Sequence, residues 1–95
     1  DVFRLDNGLT VIHQYIPTTP VAVVDVWVRA GAVREPDRWS GMAHFLEHMI
    51  FKGTKKLSES DINMIVNKLS GDCNAFTSFD YTGYLFNLPS QNWKQ

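Results

Sequence analysis

The run His44-Phe45-Leu46-Glu47-His48 constrains this chain more than any other segment, because it sets two imidazoles and one carboxylate within little more than one helical turn. At about 100° per residue the two histidines lie roughly 40° apart around a helix axis and about 6 Å along it, so one tetrahedral zinc ion can reach both. Glu47 flanks the pair. The order inverts the His-Glu-x-x-His pattern and keeps its chemistry: two neutral imidazoles hold the metal, and an unbound carboxylate faces the water on it. The competing reading is the wet stripe of an amphipathic helix. Against it, every other residue from Met42 to Phe51 is apolar, and a helix apolar nearly all round is expected to be buried, where imidazoles and carboxylates need partners.

A chain of 95 residues makes one domain or part of one and buries only a modest core. Hydrophobic residues at 44% and aromatics at 13% point to a folded soluble protein. A formal net charge of −1 supplies no electrostatic footprint for nucleic acid or an anionic membrane, and Lys52, Lys55 and Lys56 read as a solvated turn. No apolar stretch approaches the ~20 residues of a membrane span, and no signal segment opens the chain. Asp1 in place of an initiator Met points to processing or excision, which leaves targeting open. The lone Cys73 excludes an internal disulfide. A nucleophile paired with His44 or His48 is one reading of it; a small buried apolar residue is the other, favoured by the lack of a thiolate-stabilising pattern around it.

Strands come first, then helices, then strands. Val2–Leu5 and Leu9–Tyr15 flank Asp6-Asn7-Gly8, a strong hairpin signal. Val21–Ala30 reads as a third strand whose even positions, Ala22 to Ala30, are all apolar. Arg34–Ser40 is a polar connection, Ser40 is the expected N-cap of the metal-site helix, and Lys52-Gly53 ends it. Ser58-Glu59-Ser60-Asp61 resembles a capping box for a second helix with Ile62, Ile65, Val66 and Leu69 on one face and Gly71 at its end. Cys73–Phe79 and Tyr81–Leu88 are two further strands with a reversal near Asp80 or Gly83. The fold class is therefore α+β: mainly antiparallel sheet with helices packed on one face. Ser90 reads as a cap and Gln91–Gln95 as the first turn of a helix cut short.

A catalytic zinc needs three protein ligands and an open position for water. His44 and His48 supply two. Asp72, Cys73 and Asp80 are local candidates for the third, none at a diagnostic spacing, and the simpler expectation is a ligand past Gln95.

The stretch Gly41-Met42-Ala43-His44-Phe45-Leu46-Glu47-His48-Met49-Ile50-Phe51-Lys52-Gly53-Thr54, followed by Asn74-Ala75-Phe76-Thr77-Ser78 and Asp80-x-Thr82-x-Tyr84, closely resembles the N-terminal catalytic segment of the pitrilysin/insulinase-type zinc metallopeptidases. The opening hairpin and the Val-rich strand running into Arg29-Ala30-Gly31-Ala32 resemble the processing-peptidase branch. The resemblance implies that residues 1–95 are the N-terminal part of a larger duplicated metallopeptidase fold. It implies one zinc bound by His44 and His48, a glutamate beyond Gln95 as third ligand, and Glu47 as general base. It implies an edge strand at Asn74, Ala75 and Phe76 that pairs with an extended peptide substrate, with Phe76 lining an apolar pocket. It also implies a second homologous half, fused or separate, that closes over the substrate with an Arg-Tyr pair.

The implied activity is zinc-dependent endopeptidase cleavage of peptides or unfolded, presequence-like polypeptides. Two other classes compete: a non-catalytic structural or assembly subunit of the same fold, and an independent zinc-binding interaction module. A subunit freed from catalysis has no physical need of Glu47, and a module would need a complete ligand set in 95 residues. The expected setting is soluble, in bacterial cytoplasm or periplasm or an organelle matrix, without a membrane span and without nucleic acid as partner.

Overall fold

The computed structural model describes residues 1–94. Asn7-Gly8 closes the first hairpin: the Leu9 N–H donates to Asn7 Oδ1 at 3.0 Å, and the Leu5 N–H donates to the Leu9 carbonyl at 2.8 Å. The strands it joins are β1 (Val2–Arg4) and β2 (Thr10–Ile12), antiparallel with Phe3 opposite Val11. Both are shorter than expected. From His13 to Pro20 the chain forms no strand, and Ile12 and Tyr15 stay exposed.

The second sheet contains β3 (Val21–Val28), β4 (Asp72–Thr77) and β5 (Thr82–Pro89), antiparallel throughout in the order β3-β5-β4. The reversal between β4 and β5 runs through Phe79-Asp80 and is closed by the Ser78 N–H on the Tyr81 carbonyl at 2.8 Å. Gly83 lies inside β5. Two-residue alternation sorts the side chains by face. Val26, Tyr84 and Ala75 form one row on one face, with Val28, Thr82 and Thr77 in the next.

Helix α1 (Met42–Ile50) crosses this face. Its Ala43, Leu46 and Ile50 line a small apolar recess with Val28, Ala30, Thr82 and Tyr84, and Phe51 just beyond it packs 6.5 Å from Phe86 between ring centroids. Helix α2 (Glu59–Lys68) lies beside β4. The class is the α+β arrangement that the sequence predicts.

The opposite face carries Trp27, Gly83 and Phe76 in one row. Trp27 and Phe76 meet edge to face at 5.5 Å, and Tyr81 sits 5.9 Å from Phe76 and 5.2 Å from Trp27. A Cβ on Gly83 would stand 2.6 Å from the Phe76 ring, so glycine is what lets that ring lie across the strand.

The capping box at α2 forms as expected: Asp61 N–H donates to Ser58 Oγ, and Ser58 N–H returns a bond to Asp61 Oδ2. Hydrogen bonds from the Ser58 hydroxyl and then its backbone N–H hold the Asp61 carboxyl below the ordinary aspartate range. Because the folded value is the lower one, this contribution is complete above the unfolded value and fades as pH falls through the folded one.

Tyr84 and Thr82, 8% and 2% exposed, mark the centre of the packed region. One expectation fails here: α1 is not enclosed, for Phe45 is 67% and Leu46 55% exposed. Three strands and two short helices offer one face to pack against, and a helix apolar on all sides needs more. The radius of gyration, 15.5 Å, exceeds the roughly 12–13 Å of a compact domain of this length. The Ser90 cap is also corrected. Ser90–Asn92 form a 3-10 turn whose preceding residue is Pro89, with no side-chain cap, and the helical start expected to run to Gln95 falls partly outside the described residues.

Candidate metal centre

Helix α1 is started by a residue that local pattern does not reveal. Ser40 makes no cap; it ends the 3-10 turn Asp37–Trp39, and Gly41 follows at φ 89°, a left-handed conformation that turns the chain into the helix. The free N–H groups of Gly41 and Ala43 are taken by Glu35, whose Oε2 and Oε1 accept at 2.7 and 2.6 Å. A carboxylate at this end also meets the positive pole of the helix. The segment Ala32–Trp39 holds it there with two 3-10 turns around Pro36.

On this helix the two imidazoles converge. His44 Nε2 and His48 Nε2 stand 3.0 Å apart, with ring centroids 4.6 Å apart and planes at 61°. Two nitrogens each 2.0–2.1 Å from a tetrahedral zinc are separated by about 3.4 Å, so a small opening of the side chains seats both lone pairs on one ion. The donor set fits zinc. A third ligand is another matter: among the described residues no group of three His, Cys, Asp or Glu side chains comes together. Asp72, Cys73 and Asp80 therefore do not complete the site, and Cys73, half-buried in β4 opposite Phe86, is not gathered with the histidines.

Glu47 points to the sheet. Its Oε2 accepts a hydrogen bond from the Thr77 hydroxyl of β4 at 2.6 Å, which ties helix and strand at the half-buried carboxylate. Sequence reading singled out Thr77 only as part of a motif. Its one local signal is parity, since Thr77 shares a face with Ala75 and Cys73.

β4 is the outer strand of its sheet, and the register shows which backbone groups are free. Ser78 and Tyr81 form a hydrogen-bonded pair, so alternation makes Phe76–Gly83 and Asn74–Leu85 bonded pairs too. The N–H and C=O groups of Cys73, Ala75 and Thr77 consequently face away from β5. The Ala75 N–H is capped by its neighbour, Asn74 Oδ1, at 2.9 Å. Phe76 faces away from α1, in the cluster with Trp27 and Tyr81. That cluster is partly open, for Trp27 is 57% exposed. For a peptide laid along this edge, Phe76→Ala is expected to change the preference among apolar side chains by about 10-fold or more, the scale of a hydrophobic pocket contact. Competition assays on a mixed peptide library check this, and equal slowing across the library would make Phe76 a packing residue alone.

Comparisons with known proteins place the chain in a family. The model of the family described as Insulinase (Peptidase family M16) matches residues 10–95. The mitochondrial-processing peptidase subunit beta of Blastocladiella emersonii is 42% identical over 91 residues, covering 96% of this chain and 20% of that protein. An uncharacterised zinc protease of Bacillus subtilis is 37% identical over 82 residues, covering 86% of this chain and 20% of its own length. The crystal structure of a protease from Helicobacter pylori superposes with a TM-score of 0.88 at 39% identity, over 97% of this chain and 22% of that one. The chain thus spans about a fifth of the length of these relatives. No described helix is long and apolar enough to cross a membrane. With a family model matched over nearly its whole length, the chain belongs to the insulinase family of peptidases, family M16.

Proposed function

We propose that this segment carries the metal helix and substrate-facing strand of a zinc metalloendopeptidase acting on extended or unfolded, presequence-like polypeptides. The observation that carries the reading is the convergence of His44 Nε2 and His48 Nε2 at 3.0 Å on one helix, with the Glu47 carboxylate next in sequence to His48 and hydrogen-bonded to Thr77. His44 and His48 would hold the ion, together with a glutamate supplied from beyond Gln95. Bound there, zinc supplies Lewis acidity, lowering the pKa of a water toward ~7 and polarising the scissile carbonyl.

The chain's own residues do the rest. Glu47 takes the proton of the attacking water and delivers it to the departing amine nitrogen, so the carboxylate returns to its starting state. The outward groups of Ala75 hold the substrate as an added strand once the Asn74 side chain releases the Ala75 N–H. Main-chain bonds accept any extended sequence, and Phe76, with Trp27 and Tyr81, biases the choice among side chains. The exposed faces of α1 are covered by the remainder of the same domain, and a second homologous half, fused or separate, closes over the substrate.

Residues 1–95 alone are then expected to show negligible hydrolysis, because two imidazoles leave the metal weakly held and the closing half is missing. Complementation tests this. Adding the downstream polypeptide should restore zinc-dependent cleavage, whereas turnover by the purified, monomeric segment would show that a local residue completes the site.

A further inference from the structure

Among the described residues, Thr77 makes the one direct side-chain bond between the edge strand and the candidate base. Its hydroxyl donates to Glu47 Oε2 at 2.6 Å, a short contact of the kind formed with an ionised acceptor. The donor is held stiffly. Threonine is branched at Cβ, Thr77 lies opposite Thr82 in the register, and Thr82 spends its own hydroxyl on the Ala30 carbonyl at 2.8 Å, so the two do not compete for Glu47. A glutamate on a helix has three rotatable bonds. With Oε2 tied down, Oε1 is left free to take a proton.

The backbone of Thr77 faces the open edge while its side chain reaches the helix. One residue therefore belongs to both the strand edge and the base's surroundings. We propose that Thr77 is a positioning residue: its hydroxyl fixes the orientation of the Glu47 carboxylate and sets that carboxylate in register with a substrate paired along β4. This rests on the peptidase reading above. The hydroxyl matters as a donor, so shape alone will not replace it.

The test uses the zinc-loaded, full-length protein that carries this segment, with Thr77→Val, which keeps the shape, and Thr77→Ser, which keeps the donor. Thr77→Val is expected to lower kcat about 10- to 100-fold, the worth of a hydrogen bond to a charged group, with KM and zinc content unchanged and the protein still folded at the assay temperature. Thr77→Ser should recover most of the loss. A second readout does not depend on turnover: the infrared carboxylate band that vanishes in Glu47→Gln should shift in Thr77→Val and hold its place in Thr77→Ser. Equal losses in both variants, a loss confined to KM, or a band that does not move would overturn the assignment. A shifted band in a protein without hydrolytic activity would instead refute the peptidase reading and leave the grip of Thr77 on Glu47 standing.

Discussion

Glu47→Gln in the full-length protein is expected to abolish nearly all peptide hydrolysis while leaving zinc and fold intact. The amide has the size of the carboxylate and still accepts the Thr77 hydroxyl, so the contact between α1 and β4 survives. What it lacks is basicity, for it cannot take a proton from water at neutral pH. General base and acid work contributes about 10²- to 10⁴-fold, and the proposed mechanism gives both to one residue, so the loss should fall at or beyond the upper end of that range. Because binding to the strand edge is untouched, kcat should carry the loss and KM should stay near its original value. Steady-state kinetics beside metal analysis checks it; substantial residual turnover would remove Glu47 from the mechanism.

His44→Ala and His48→Ala are each expected to strip the metal. Tetrahedral zinc sites bind with about 10–16 kcal/mol shared among their ligands, so one imidazole is worth about 3 kcal/mol, or more than a hundredfold in affinity. The two rings converge from one side of one helix, and neither is replaced by another His, Cys, Asp or Glu among the described residues. Each variant should therefore lose zinc on dialysis and activity with it. The fold should persist, since both side chains are exposed and neither fills the recess under α1. Metal content by mass spectrometry, with circular dichroism as control, decides; stoichiometric zinc in both variants would place the metal elsewhere.

What could be read from the sequence was local. Asn7-Gly8 and Ser58 with Asp61 act within three residues of themselves, so the hairpin and the start of α2 were legible. The spacing of His44 and His48 likewise converts directly into convergence on one helix face. Features that depend on distant partners were not legible. Glu35 displaces Ser40 as the cap because a longer side chain, delivered by the turns around Pro36, reaches N–H groups that the serine beside a left-handed glycine does not. The bond from Thr77 to Glu47 joins residues 30 apart and exists only once β4 lies under α1. The apolar surroundings of the motif were read correctly as composition and wrongly as enclosure, since Phe45 and Leu46 remain exposed in this segment.

The most direct measurement is zinc-edge X-ray absorption on the full-length Glu47→Gln protein, compared with the same protein further changed at His44 and His48. The expected spectrum shows two imidazole nitrogens at about 2.0–2.1 Å, together with oxygen ligands from a carboxylate and water, and the bound-zinc signal itself is lost when both histidines are replaced. A zinc spectrum without imidazole scattering, or one unchanged by removal of His44 and His48, would contradict the account.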